Sequence, residues 1–166
     1  MTSRPILGLA VAIFAASSIA RAQQPMQHTD GMNHDSAFAA VQKRGATVMG
    51  VDQYTSKHVF ESLPDGGRIA LQREVEDSAG TAQIRHHLAE TAGQFARGDF
   101  TSPMLVHARV VPGTRVMARK RRAISYDVDT LPRGGQIRIH TTDPGAIAAI
   151  HDFLAFQRQD HRAGQH

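Results

Sequence analysis

The chain has 166 residues, with 19 Lys+Arg against 15 Asp+Glu, ten histidines and no cysteine. That length suits one domain of ordinary size. The missing cysteine excludes disulfides, thiolate metal sites and cysteine nucleophiles together.

The first stretch reads as a signal peptide over residues 1–22. Arg4 supplies a positive start, Ile6 to Ala20 is a short apolar run, and Ala20-Arg21-Ala22 has the small-x-small form of a cleavage site. The expectation is an exported protein, periplasmic or secreted, that keeps no membrane span after cleavage; a retained anchor is the alternative. Without Arg4 and Arg21, 17 basic residues face 15 acidic ones, a balance of +2. So mild a charge does not favour nucleic acid as a partner.

Residues 23–47 read as a flexible polar leader, with a short helix over Ser36 to Lys43 in which Phe38 and Val41 share a face. The leader carries Met26-Gln27-His28 and Met32-Asn33-His34, two Met-x-His triplets. Thioether plus imidazole is a soft donor set that suits Cu(I), so Met26, His28, Met32 and His34 form a candidate secondary metal site.

The folded part, 48–166, starts with strand character over Lys57 to Leu63, where His58 and Phe60 share a face. Pro64-Asp65-Gly66-Gly67 is a turn signal, and Arg68 to Val75 is the returning strand. Asp77-Ser78 caps an expected helix from Gly80 to Arg97, whose inward stripe runs through Ile84, His87, Leu88, Thr91, Ala92 and Phe95. Asp99 to Thr114 reads as a connection with two prolines. Arg119-Lys120-Arg121-Arg122 suits either a solvated strand edge or an anionic surface such as lipid headgroups, the edge being favoured.

A second hairpin follows, with Ala123 to Asp129 as one strand, a turn at Leu131-Pro132-Arg133-Gly134-Gly135, and a return strand carrying Ile137 and Ile139. His140 alternates away from those two. The last helix opens on Asp143-Pro144, an N-cap acceptor before a proline that fits the first helical position. Ile147, Ile150, Leu154 and Arg158 recur at helical spacing, with His151 in the same stripe and Asp160-His161 at the end.

The Leu-Pro-x-Gly-Gly turn recurs sixty-eight positions on, Leu63 to Gly67 and then Leu131 to Gly135. Each copy reads strand, turn, strand, helix, over about 57–97 and 123–161. The expected fold is α+β: a duplicated ββα unit forming a four-stranded, mainly antiparallel sheet with two helices on one face. In that alignment His86 or His87 corresponds to His151.

Those helical histidines are the main candidate site. Packed side by side, the two helices bring His87 and His151 near a local two-fold axis, joined by His161, with Asp160 in support and His86 as the alternative ring. Neutral imidazole suits copper first, then zinc or another transition metal. No His-x3-His or His-Glu-x-x-His spacing is present, so the local zinc signal is weak.

From Met49 to His161 the chain resembles a group of short, exported bacterial proteins of uncharacterised activity. The matching stretches are Ile84-Arg85-His86-His87-Leu88, Gly98-Asp99-Phe100, Asp143-Pro144, Ile150-His151-Asp152-Phe153-Leu154-Ala155-Phe156-Gln157 and Asp160-His161. The resemblance implies His87 over His86 and points to His151, Asp160 and His161. Relatives often carry a transcarbamylase label, but this chain is far shorter than such an enzyme and lacks its Ser-Thr-Arg-Thr phosphate loop.

Three functions follow, in order. The first is a periplasmic metal-binding protein, with copper on the helix histidines. The second is a non-catalytic interaction or structural module whose histidines satisfy buried hydrogen bonds. The third is an enzyme acting on a small molecule, with His151 as general base. The partner is a metal ion or small ligand, and homodimerisation is left open.

Overall fold

The computed structural model describes residues 30–49 and 55–163, with the side chains of the first helix described from Asp35 to Val48. The signal segment, Met26 and His28 lie outside the described residues, as do the side chains of Met32 and His34.

The protein is α+β. In chain order it comprises α1 (Asp30–Met49), β1 (Ser56–Leu63), β2 (Gly66–Arg73), α2 (Ser78–Ala96), α3 (Thr101–His107) and α4 (Thr114–Arg119). A 3₁₀ turn (Arg121–Ala123), β3 (Ser125–Leu131), β4 (Gly134–His140) and α5 (Pro144–Asp160) complete it. The four strands form one antiparallel sheet in the order β1-β2-β4-β3.

Alternation along the strands sorts the sheet into two faces. His58 and Phe60, Ile69 and Leu71, Ile137 and Ile139 point to the helices, and all but His58 are buried. The opposite face is polar: Glu61 pairs with Arg68, and Asp65 pairs with Arg138 and His140. His140 therefore lies on the open face, as its alternation predicts.

Helices α2 and α5 cover the apolar face. The Asp77 side chain accepts from the Gly80 N–H at 3.0 Å to start α2, and Asp143 accepts from Ala146 at 2.9 Å to start α5. A glycine lies beneath each helix: a Cβ on Gly67 would overlap Leu154 of α5, and one on Gly135 would press on Leu88 of α2 at 3.1 Å. The order strand, turn, strand, helix thus occurs twice. The two halves join where β2 meets β4, with Ile69 opposite Ile137.

Two expectations are corrected. The connection over 99–114 is largely helical, since α3 occupies Thr101–His107 and α4 starts at Thr114. Pro103 is tolerated in the first turn of α3, where its missing N–H has no intrahelical partner to lose. The described part of the leader, from Asp30, carries a longer helix than expected. Its helix is α1, twenty residues long rather than Ser36 to Lys43, with Val41, Gln42 and Gly45 buried. Packing against α3 stabilises it: Arg44 Nε donates to the Val106 carbonyl at 2.6 Å. Arg162 stacks on Phe38 and pairs with Asp35 at 2.8 Å.

Candidate functional site

A cavity of about 80 Å³ lies between α2 and α5, over β1, β2 and β4, with α3 closing one side. Most of its wall is apolar, including Phe60, Ile69, Leu71, Phe95, Ile137 and Phe153. Into this wall the fold brings four imidazoles, His58, His87, His107 and His161.

His58 sits on the helix-facing side of β1 because it is two residues before Phe60. Its ring stacks on Phe60 at 6.0 Å and on His161 at 5.5 Å between centroids. Burial pushes its pKa down to about 4; a backbone bond at Ser56 opposes the shift and the nearby His87 adds to it. Its Nε2 is buried and has no hydrogen-bond partner among the described residues.

His161 is the C-cap of α5, and its backbone N–H still bonds to the Gln157 carbonyl, which keeps the ring on the buried stripe. Burial first, then His58 and His107, bring its pKa down to about 3. Its Nδ1 is likewise buried and unpartnered among the described residues. At neutral pH both rings are therefore uncharged, each with one ring nitrogen left unused.

His107, at the end of α3, differs. Its Nδ1 bonds to Asp160 Oδ2 at 2.5 Å and its Nε2 to the Gln157 side chain at 2.9 Å, so both nitrogens are used. Its ring meets His161 edge-on at 5.1 Å. Arg109 reaches the other Asp160 oxygen at 3.7 Å and lies over Phe156. This ring is braced from behind, and it positions His161 rather than offering a free nitrogen. His87 on α2 is half-buried; burial lowers its pKa, and Thr91 Oγ1 lies 3.5 Å from its Nε2.

The candidate set is thus only partly assembled. His87 and His161 line the cavity. Asp160 does not face it but holds His107. His86 is exposed and pairs with Glu90 at 3.3 Å on the outer side of α2. His151 does not line the cavity either: its Nε2–H donates to the Leu63 carbonyl at 2.8 Å, fixing α5 to the end of β1. The general base expected of a small-molecule enzyme thus stands outside the cavity wall. Among the described residues, no group of three or more histidine or carboxylate side chains converges as a metal site.

No family model, curated protein or solved structure matches this chain. The reading of the site accordingly rests on its own chemistry.

Sequence reasoning did not place His58 and His107 in the candidate set. For His58 the signal was present in its alternation with Phe60, once helices cover that face. For His107 there was none, because its partners Gln157 and Asp160 lie fifty residues further along the chain. None of the described helices is long and apolar enough to cross a membrane.

Proposed function

We propose that this protein binds a small, largely apolar molecule with a hydrogen-bonding head in the cavity between α2 and α5. One observation carries the reading: His58 Nε2 and His161 Nδ1 are buried beside an apolar cavity with no partner among the described residues. A buried polar atom left unpaired is unfavourable, and a bound head group that donates to or accepts from it removes the penalty. The cavity volume suits a ligand of a few heavy atoms, since a comparable measure of roughly 150 Å³ accommodates benzene in an engineered core. No carboxylate lines the wall, which disfavours a cationic head group.

A second reading keeps copper. Two neutral, weakly basic imidazoles are competent donors for a soft monovalent ion, so Cu(I) on His58 and His161 replaces the expected set of His87, His151, His161 and Asp160. The leader triplets around Met26 and Met32 would deliver it. The presumed setting is the periplasm, through residues 1–22, and the recurring ββα order is read as a duplication.

The test follows the histidine ring signals by NMR during titration with short primary alcohols, methanol to propanol, and, anaerobically, with Cu(I). Shifts at His58 and His161 with an alcohol, lost in His58→Leu and His161→Leu, support the first reading. A response to Cu(I) alone supports the second. Rings of the folded protein that move with none of the probes would sink both and leave a purely structural histidine cluster.

A further inference from the structure

Five large hydrophobic side chains are markedly exposed among the described residues, and three of them fall within seven positions. Met104 and Leu105 are 41% and 53% exposed on α3, and Val110, just beyond it, is 50% exposed. Met104 and Val110 line one shallow depression together with Arg115 of α4. The Arg121 side chain lies over Gly98 on the rim of the same depression. Arg119 and Arg122 are exposed beside it.

These four arginines differ from most of the others. Arg68, Arg73, Arg133 and Arg138 are each tied to carboxylates, hydroxyls or carbonyls. Arg115, Arg119, Arg121 and Arg122 have no side-chain hydrogen bond or ion pair among the described residues. The nearby acids do not neutralise them: Asp143 is taken by Lys120 at 2.7 Å, and Asp99 on the rim caps the Thr101 N–H. Nor does the run serve a strand edge, because it lies in α4 and the 3₁₀ turn, before β3 begins at Ser125.

We propose that the face formed by α3, α4 and the 3₁₀ turn docks on an anionic phospholipid surface. The arginines meet headgroup phosphates while Met104, Leu105 and Val110 enter the interface, the pairing of cations and apolar side chains that peripheral membrane binding uses. A nucleic acid would satisfy the arginines yet leave the three apolar side chains in water. A bilayer accounts for both halves of the patch. The proposal is independent of what fills the cavity.

The test is vesicle sedimentation of the exported chain, Gln23 onward, which contains every described residue. Binding is expected to phosphatidylcholine vesicles containing about one-quarter phosphatidylglycerol, to weaken in about 0.5 M salt, and to be slight on phosphatidylcholine alone. Each arginine contributes about fivefold in affinity, so Arg119→Gln with Arg122→Gln is expected to weaken it about 25-fold. Leu105→Ser should weaken it as well, at unchanged circular dichroism. If the first pair fails to fold, Arg115→Gln with Arg121→Gln gives the same reading. Equal binding to both vesicles, no binding to either, or charge variants that sediment like the parent would overturn the proposal. So would tight binding to heparin without binding to vesicles.

Discussion

Arg85 and His151 do the same job sixty-six positions apart. Arg85 Nη2 donates to the Leu131 carbonyl, and His151 Nε2 donates to the Leu63 carbonyl, both at 2.8 Å. Each acceptor is the leucine that closes a strand before a Pro-containing turn, and each donor lies eight residues after the aspartate that caps its helix. The same interval relates Asp77 to Asp143, Ile84 to Ile150 and Leu88 to Leu154. His151 is therefore the counterpart of Arg85, and His87 corresponds to Phe153. The rings expected to face each other are not equivalent.

This relationship predicts how the two residues respond to truncation. His151→Ala removes one hydrogen bond to a carbonyl and is expected to destabilise by about 1 kcal/mol. Arg85→Ala removes bonds to both the Leu131 and Gly134 carbonyls and is expected to lose about 2–3 kcal/mol. At roughly 2–4 °C per kcal/mol for a chain of this size, thermal melts resolve the difference. Neither change should alter alcohol or Cu(I) binding. A His151→Ala protein that melts normally but binds no ligand would return His151 to the site.

Acid stability follows from the two buried rings. His58 and His161 titrate at about 4 and about 3 in the folded protein, below the ordinary value of 6.5. Between those limits the unfolded chain holds more protons than the native one, so stability rises with pH through the window. It is complete above about 6.5 and is lost as pH falls towards 4, each ring contributing at most about 1.4 kcal/mol per pH unit. Denaturant melts at pH 7 and pH 5 should differ by about 3 kcal/mol. The double change His58→Leu, His161→Leu is expected to flatten that slope. A slope that persists would mean that these rings do not carry it.

The hairpins, the N-caps at Asp77 and Asp143, and the α+β class were legible because each depends on neighbours within a few residues. Matching His151 to another histidine, His86 or His87, displaces the pairing of the helices by one or two positions. The two N-caps, sixty-six residues apart, carried the correct interval in plain sequence. The lengths of α1 and α3 were not legible in this way. Thr101–His107 is too short to show a period, and α1 depends on contacts with α3 and Arg162 that are distant in the chain. His107 was hidden for the same reason: it acquires its role only when α3 folds over Gln157 and Asp160.

Asp160 gives the sharpest separation between support and ligation. Its carboxylate is bonded to His107 and lies near Arg109, so Asp160→Asn keeps the shape but removes a charge-assisted bond to a nearly inaccessible ring. The expected loss is about 1.5–3 kcal/mol. The ring signals of His107 should move directly, and those of His161, whose ring meets His107 edge-on, should move with them. Because Asp160 contributes no atom to the cavity wall, affinity for the alcohols or Cu(I) should fall only as far as His161 is displaced, by less than the loss in His161→Leu. Abolished Cu(I) binding at unchanged stability would instead make Asp160 a direct ligand, as its position beside His161 in the chain first suggested.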